Sequence, residues 1–162
     1  MKVKDAMVGT PVSCGPEANL GVAAELLWNQ NCGILPVVDS DRKVVGVMTD
    51  RDMCIALGTR NLLPGQILVK EVMTGKVHSC QVDDDVHLAL EKMSKGRVRR
   101  LPVVDSNGVL QGILSMDDVV LHAEGPSRAG ATGLTQKDVV ETLKTIYRPE
   151  VPQVAKSRQS AI

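Results

Sequence analysis

The sequence predicts an α+β fold: two β-α-β-β-α units related by a pseudo-two-fold axis, followed by a C-terminal tail with a short helix. Three observations predict it. Residues 4–58 align with 70–124 without a gap at an offset of 66, giving 15 identical pairs among 55, where ordinary residue usage would give about 3. Each copy carries two β-rich runs on either side of a turn, with helical apolar spacing before and after them. Only two copies of this long unit are present, so they must bury each other's apolar faces and do not form a solenoid.

In the first copy a short extended segment at 12–14 passes through Gly15-Pro16 to Leu20, Ala23, Ala24 and Leu27, the spacing of one helical face. Residues 34–38 and 44–48 read as strands joined through Asp39-Ser40-Asp41-Arg42-Lys43. In the second copy the turn is Asp105-Ser106-Asn107-Gly108, whose Asn-Gly is a strong hairpin signal. Thr49 then opens a helix through Leu57. The shared residues fall in blocks: Lys4 and Met7 with Lys70 and Met73, Ser13-Cys14 with Ser79-Cys80, 35–40 with 101–106, Gly46 with Gly112, and Asp52 with Asp118. These blocks divide the chain into a first repeat at 1–62, a second at 63–124, and a tail at 125–162. Small turn-forming residues at 125–134 mark a linker. Thr135 with Asp138 caps a short helix to Tyr147, and Pro149, Pro152 and a polar end predict a disordered terminus. The tail holds six basic and three acidic residues, and its readings are a solvated segment or one that docks on a dimer or another protein.

Composition narrows the function classes. Basic and acidic residues balance at 19 each, so the cationic excess that drives nucleic-acid binding is missing, and one Trp, one Tyr and no Phe provide no stacking platform. No apolar run is long enough to cross a bilayer and the first residues do not resemble a signal peptide, so a cytoplasmic protein is expected. The four cysteines lack metal-ligand spacing and read as reduced and mostly buried. Enzyme motifs are also missing: His78, His87 and His122 are scattered, and no nucleophile elbow, zinc-protease or P-loop pattern occurs.

The stretches Gly46-Val47-Met48-Thr49-Asp50-Arg51-Asp52 and Gly112-Ile113-Leu114-Ser115-Met116-Asp117-Asp118 carry the chemistry. Thr or Ser with an acid three residues later makes a capping box, which starts a helix and implies no ligand. The same set also suits a ribose phosphate. A helix start and a hydroxyl favour the phosphate, and a carboxylate accepts from vicinal hydroxyls. Arg97, Arg99 and Arg100 precede the second copy's first hairpin strand; on a strand, Arg99 and Arg100 point to opposite faces. Beside Ser115, one guanidinium is placed to grip a phosphate, which predicts that the Ser115 site is the better anion site.

The Lys-acid-apolar-Met start, the Leu-Pro-Val-Val-Asp strand and the Gly-apolar-apolar-Thr/Ser exit with its Asp, each occurring twice over about residues 1–124, resemble a tandem pair of cystathionine-β-synthase (CBS) domains, the Bateman module. The resemblance implies a regulatory, non-catalytic module with two clefts for adenosine-containing ligands: AMP, ADP or ATP, with S-adenosylmethionine or a dinucleotide as alternatives. It implies a homodimer shaped as a four-domain disc that signals to a regulated protein; the rival reading is a nucleotide-independent scaffold. By position, Asp52 and Asp118 would take ribose hydroxyls, Thr49 and Ser115 the ribose or phosphate, and Arg100 a phosphate. Each cleft would borrow the start of the other copy's first long helix: Ala18 and Ala23 for the Ser115 cleft, Asp84 and Ala89 for the Thr49 cleft. Ile34 stands where the second copy has Arg100, and the acidic run Asp83-Asp84-Asp85 is expected to face Thr49, so a polyphosphate there would need a bridging Mg²⁺.

Overall fold

The computed structural model describes residues 1–125 and 133–148. Each repeat builds one antiparallel hairpin. In the first, β2 (Ile34–Val38) pairs with β3 (Val44–Thr49); in the second, β5 (Arg100–Val104) pairs with β6 (Leu110–Ser115). Both hairpins shift register at the same point, between Val37 and Val38 and between Val103 and Val104. The turns are closed alike: the Asp39 carboxylate accepts from the N–H groups of Asp41 and Lys43, and Asp105 accepts from Asn107 and Val109. Helices α1 (Leu20–Asn29) and α2 (Asp50–Arg60) flank the first hairpin, and α3 (Val86–Gly96) and α4 (Met116–His122) the second. The helix expected to close at Leu57 continues to Arg60, where Asn61 ends it in the left-handed region.

The pseudo-two-fold axis is written into the backbone bonds. Val44 N–H donates to the Gly108 carbonyl and Leu110 N–H to the Arg42 carbonyl, both at 3.1 Å, so the hairpin turns exchange equivalent bonds under the 66-residue offset. A second reciprocal exchange links the repeat starts. Val3 N–H donates to Asp84 O and Val69 N–H to Ala18 O; Val86 N–H donates to Met1 O and Leu20 N–H to Ile67 O. The opening segment of each repeat therefore lies on the other repeat. β1 (Val8–Gly9) pairs with β6, while Thr74 bridges to Val47 in β3. The predicted extended segment at 12–14 contributes a single parallel bridge, Cys14 to Val37; its counterpart β4 (Cys80–Gln81) pairs in parallel with β5.

This crossing explains the Met and Gly blocks of the repeat. Met7 crosses to the second hairpin and Met73 to the first. A Cβ on Gly112 would lie 2.7 Å from Met7 Sδ and 2.8 Å from the Val8 carbonyl oxygen, so that strand has no room for a side chain there, and one on Gly46 would lie 2.5 Å from Met73 Sδ, so Met73 would have to move. The apolar interior forms two clusters. One gathers Leu20, Leu27, Leu35, Met48 and Met53 with Ile67 and Val69 from the opposite start; the other gathers Leu90, Met93, Leu101 and Leu114 with Val3 and Ala6.

The described part of the tail departs from the solvated reading: helix α5 (Gln136–Tyr147) packs on α3 and α4 of its own chain. Leu134 and Val139 are buried in the second cluster, with Leu143 and Ile146 against it. Glu124 and Thr135 bridge in parallel, which fixes the entry to α5. The expected linker falls mostly, and the expected disordered terminus almost wholly, outside the described residues.

Candidate ligand clefts

Two clefts open where each hairpin exit meets the other repeat. At the first, Thr49 ends β3 in extended conformation and caps α2. The Thr49 hydroxyl donates to Asp52 Oδ2 at 2.7 Å, the Thr49 N–H donates to the same oxygen at 2.9 Å, and the Asp52 N–H donates back to the hydroxyl at 3.2 Å. Ser115 and Asp118 repeat this at 2.6, 2.8 and 3.1 Å. Both carboxylates use Oδ2 alone for the cap, so the second oxygen of each is not spent on it. A third capping box, Thr135 with Asp138, has the same geometry on α5. The motif therefore starts helices whether or not a cleft adjoins it, and the surroundings decide what else it does.

The Thr49 cleft has a volume of about 470 Å³ and is walled by Lys76, His78 and residues 96–100 of the second repeat. The Ser115 cleft, about 350 Å³, is walled by 10–12 and 30–34 of the first. The two walls correspond position by position, and their charges do not. Lys76, Arg97 and Arg99 stand where the other cleft has Thr10, Asn31 and Gly33, and Arg51 stands where it has Asp117. Arg100 lines both clefts: it reaches over Gly33 and also lies 4.0 Å from Asp117.

Several expectations are corrected by this arrangement. The arginine group borders the Thr49 cleft and not the Ser115 cleft alone, because the start of β5 crosses the pseudo-axis. Arg99 and Arg100 both line that cleft, since the strand begins at Arg100 and side-chain alternation does not extend to Arg99. What each cleft borrows from the other repeat is the end of its first long helix. Ala18, Ala23, Asp84 and Ala89, at the starts of those helices, line neither cleft. Ala23 and Ala89 are fully buried in their own clusters, Ala18 packs at the edge of the first, and Asp84 accepts from Lys92 Nζ at 2.8 Å and from the Gln81 N–H.

The acidic run is likewise engaged away from Thr49. Asp83 accepts from Lys4 at 2.9 Å and Lys2 at 3.2 Å, and these bonds, Lys4 first, hold its carboxyl below the usual range. Asp85 caps α3 and accepts from both the backbone N–H and the Nδ1 of His87, which lower its carboxyl likewise. The ground for a bridging Mg²⁺ at Thr49 is thereby removed. Sequence reasoning missed Lys76 and set His78 aside as one of the scattered histidines, and neither was expected in a cleft. The signal was present in the aligned pair Thr10 and Lys76, a charge gained in one copy only.

Cys14 and Cys80, though equivalent, lie in separate clusters. Burial raises the Cys14 thiol and pushes Cys80 up to about 11, so both stay protonated near neutrality. Among the described residues no group of three or more metal-ligating side chains gathers, and no helix is long and apolar enough to cross a membrane.

The α1–α2 surface also differs from its counterpart. A groove of about 980 Å³ runs between Ala24, Leu27, Trp28, Met53 and Leu57, with the Trp28 side chain 85% exposed at its edge. The equivalent position on the second repeat retains only about 220 Å³, because Leu143 and Tyr147 of α5 fill it and the Tyr147 hydroxyl accepts from Arg99 at 3.1 Å.

Comparison with known proteins matches this architecture. Protein YlbB of Bacillus subtilis is 34% identical over 131 residues, 80% of this chain and 87% of that one. Several other curated relatives are longer, and the chain spans only 25% of one and 22% of another. The CBS domain pair of protein MJ0100, solved with 5′-methylthioadenosine and S-adenosyl-L-methionine, superposes with a TM-score of 0.68 at 30% identity, covering 75% of this chain and 94% of that one. CBSX2 solved with AMP gives 0.64 at 29%, covering 74% and 93%. The CBS domain family itself matches residues 3–59 and 69–125, and the chain therefore belongs to it as a tandem CBS pair.

Proposed function

We propose that this CBS pair is a regulatory module that binds adenosine-containing nucleotides, AMP, ADP or ATP, in the clefts between its repeats, and that it performs no catalysis of its own. The observation that carries this reading is the paired hydroxyl and carboxylate at Thr49/Asp52 and Ser115/Asp118. Each pair is fixed by its capping box beside a cleft walled by the opposite repeat, with one carboxylate oxygen outside the cap to accept from a ribose. AMP in CBSX2 and the adenosyl ligands of MJ0100 support the ligand class. A ligand that touches both repeats acts by favouring one arrangement of them over another, and only its differential affinity for the two carries a signal to a regulated protein.

Two copies associate through the α1–α2 groove. It is apolar, edged by a large exposed side chain, and remains open where α5 closes its counterpart.

Thermal unfolding tests the ligand reading. A nucleotide that binds only the folded chain, at 100 times its dissociation constant, adds about 2.7 kcal/mol, a rise of about 5–10 °C in a chain of this size. AMP or ATP should give that rise, and Asp52→Asn with Asp118→Asn should abolish most of it. A midpoint unmoved by any adenosine compound would leave the module as a scaffold.

A further inference from the structure

The two clefts share one plan, and their walls differ by charge in a way that sorts ligands. Resting on the adenosine reading above, we propose that the chain holds a single phosphate-bearing nucleotide, in the Thr49 cleft, with Lys76 and Arg99 of the second repeat reading the phosphate. The Ser115 cleft, by the same reasoning, accepts an adenosine compound only when its 5′ substituent carries no phosphate.

The charge difference follows from substitutions at matching positions. Toward the Thr49 cleft the second repeat presents Lys76 and Arg99, the latter with Nη1 already given to Tyr147 and its other guanidinium nitrogens left for a phosphate, and Arg100 beside them, where the first repeat presents Thr10, Gly33 and Ile34 to the other cleft. On the helix that each hairpin exit opens, Arg51 on one side corresponds to Asp117 on the other. The cations reach the Thr49 cleft from α2, from the segment after Met73 and from the end of α3, so they surround its volume of about 470 Å³ from three directions. In the Ser115 cleft Arg100 meets Asp117 and Asp118, and it already lies 4.0 Å from the former. A phosphate entering there would face Asp117 and Asp118 with Arg100 alone among the described lining residues to offset them, whereas in the Thr49 cleft Asp50 and Asp52 are outnumbered by Arg51, Lys76, Arg97, Arg99 and Arg100. A neutral thioether or a sulfonium in the same place would meet no such repulsion. Specificity of this kind rests on the repulsive element as much as on the attractive one.

Isothermal titration of the full chain with AMP, adenosine and 5′-methylthioadenosine tests the assignment. One AMP per chain is expected, with affinity falling about 10- to 100-fold in Lys76→Ala/Arg99→Ala and less than 2-fold for adenosine. Asp52→Asn should remove AMP binding, and Asp118→Asn should leave it within 2-fold while weakening 5′-methylthioadenosine. Raising the salt concentration should weaken AMP and leave adenosine nearly unchanged. Two AMP sites, one lost with each carboxylate, would overturn the charge sorting. So would equal losses of AMP and adenosine in the double variant. If no adenosine compound binds, the adenosine reading itself fails; if adenosine binds in both clefts without preference for phosphate, the reading stands and this inference falls.

Discussion

At Arg42 the backbone turns through φ 60°, a left-handed conformation that Gly108 meets at the same place in the second hairpin with φ 82°. A side chain there works against sterics by roughly 1 kcal/mol, part of which glycine returns through its looser unfolded chain. Arg42→Gly should therefore raise the unfolding free energy by about 0.5–1 kcal/mol, read as a later denaturant midpoint with unchanged slope; an earlier midpoint would show that the arginine side chain supports the turn. The second copy already displays the solution, and the 66-residue alignment made it readable. The capping residues were legible for the same reason. The direction of Arg99 was not, because strand alternation gives a face only inside a strand, and Arg99 lies one residue before it. Ala18 and Asp84 fell outside the clefts because position along a helix does not tell which of its ends approaches the other repeat.

Among the elements, α5 is the one whose existence was predicted and whose place was not. The Thr135 and Asp138 spacing marked its start, while nothing local says that Val139, Leu143 and Ile146 will find α3 and α4. Its cap is open to test. Thr135→Ala should destabilise the chain by about 1 kcal/mol, and hydrogen exchange should rise in α5 before it rises in the hairpins. The cap also has a pH dependence. The Thr135 hydroxyl, then its N–H, hold the Asp138 carboxyl below its ordinary range, with His87 Nε2 at 3.6 Å adding to the effect. The folded value lies below the unfolded one, so this contribution is complete above an ordinary Asp value of about 3.9 and fades as pH falls below it. Exchange protection of α5 should drop in that acid range in the native chain and lose this component in Thr135→Ala. Equal protection in both at every pH would show that the packed face alone holds the helix.

For the molecule as a whole, the duplication announced the pseudo-symmetry, and the symmetry is broken where function is proposed. Cations gather in one cleft, and one helical groove is filled while the other is open. If self-association passes through the α1–α2 groove, Trp28→Glu should convert a dimer to a monomer in sedimentation, with the melting curve little changed. An unaltered dimer would place the contact elsewhere. A stable contact needs roughly 1,200–2,000 Å² in total, so the exposed indole should become shielded on assembly and its fluorescence should shift with concentration.

The exchange of opening segments sets an order of events during synthesis. Residues 1–9 leave the ribosome well before their partners, Asp84 and the strand at Leu110–Ser115, which emerge a hundred or so residues later. This segment must wait, unseated, until nearly all of the paired unit has been made. A nascent chain halted near residue 62 would hold one unfinished half and a leader with nowhere to bind.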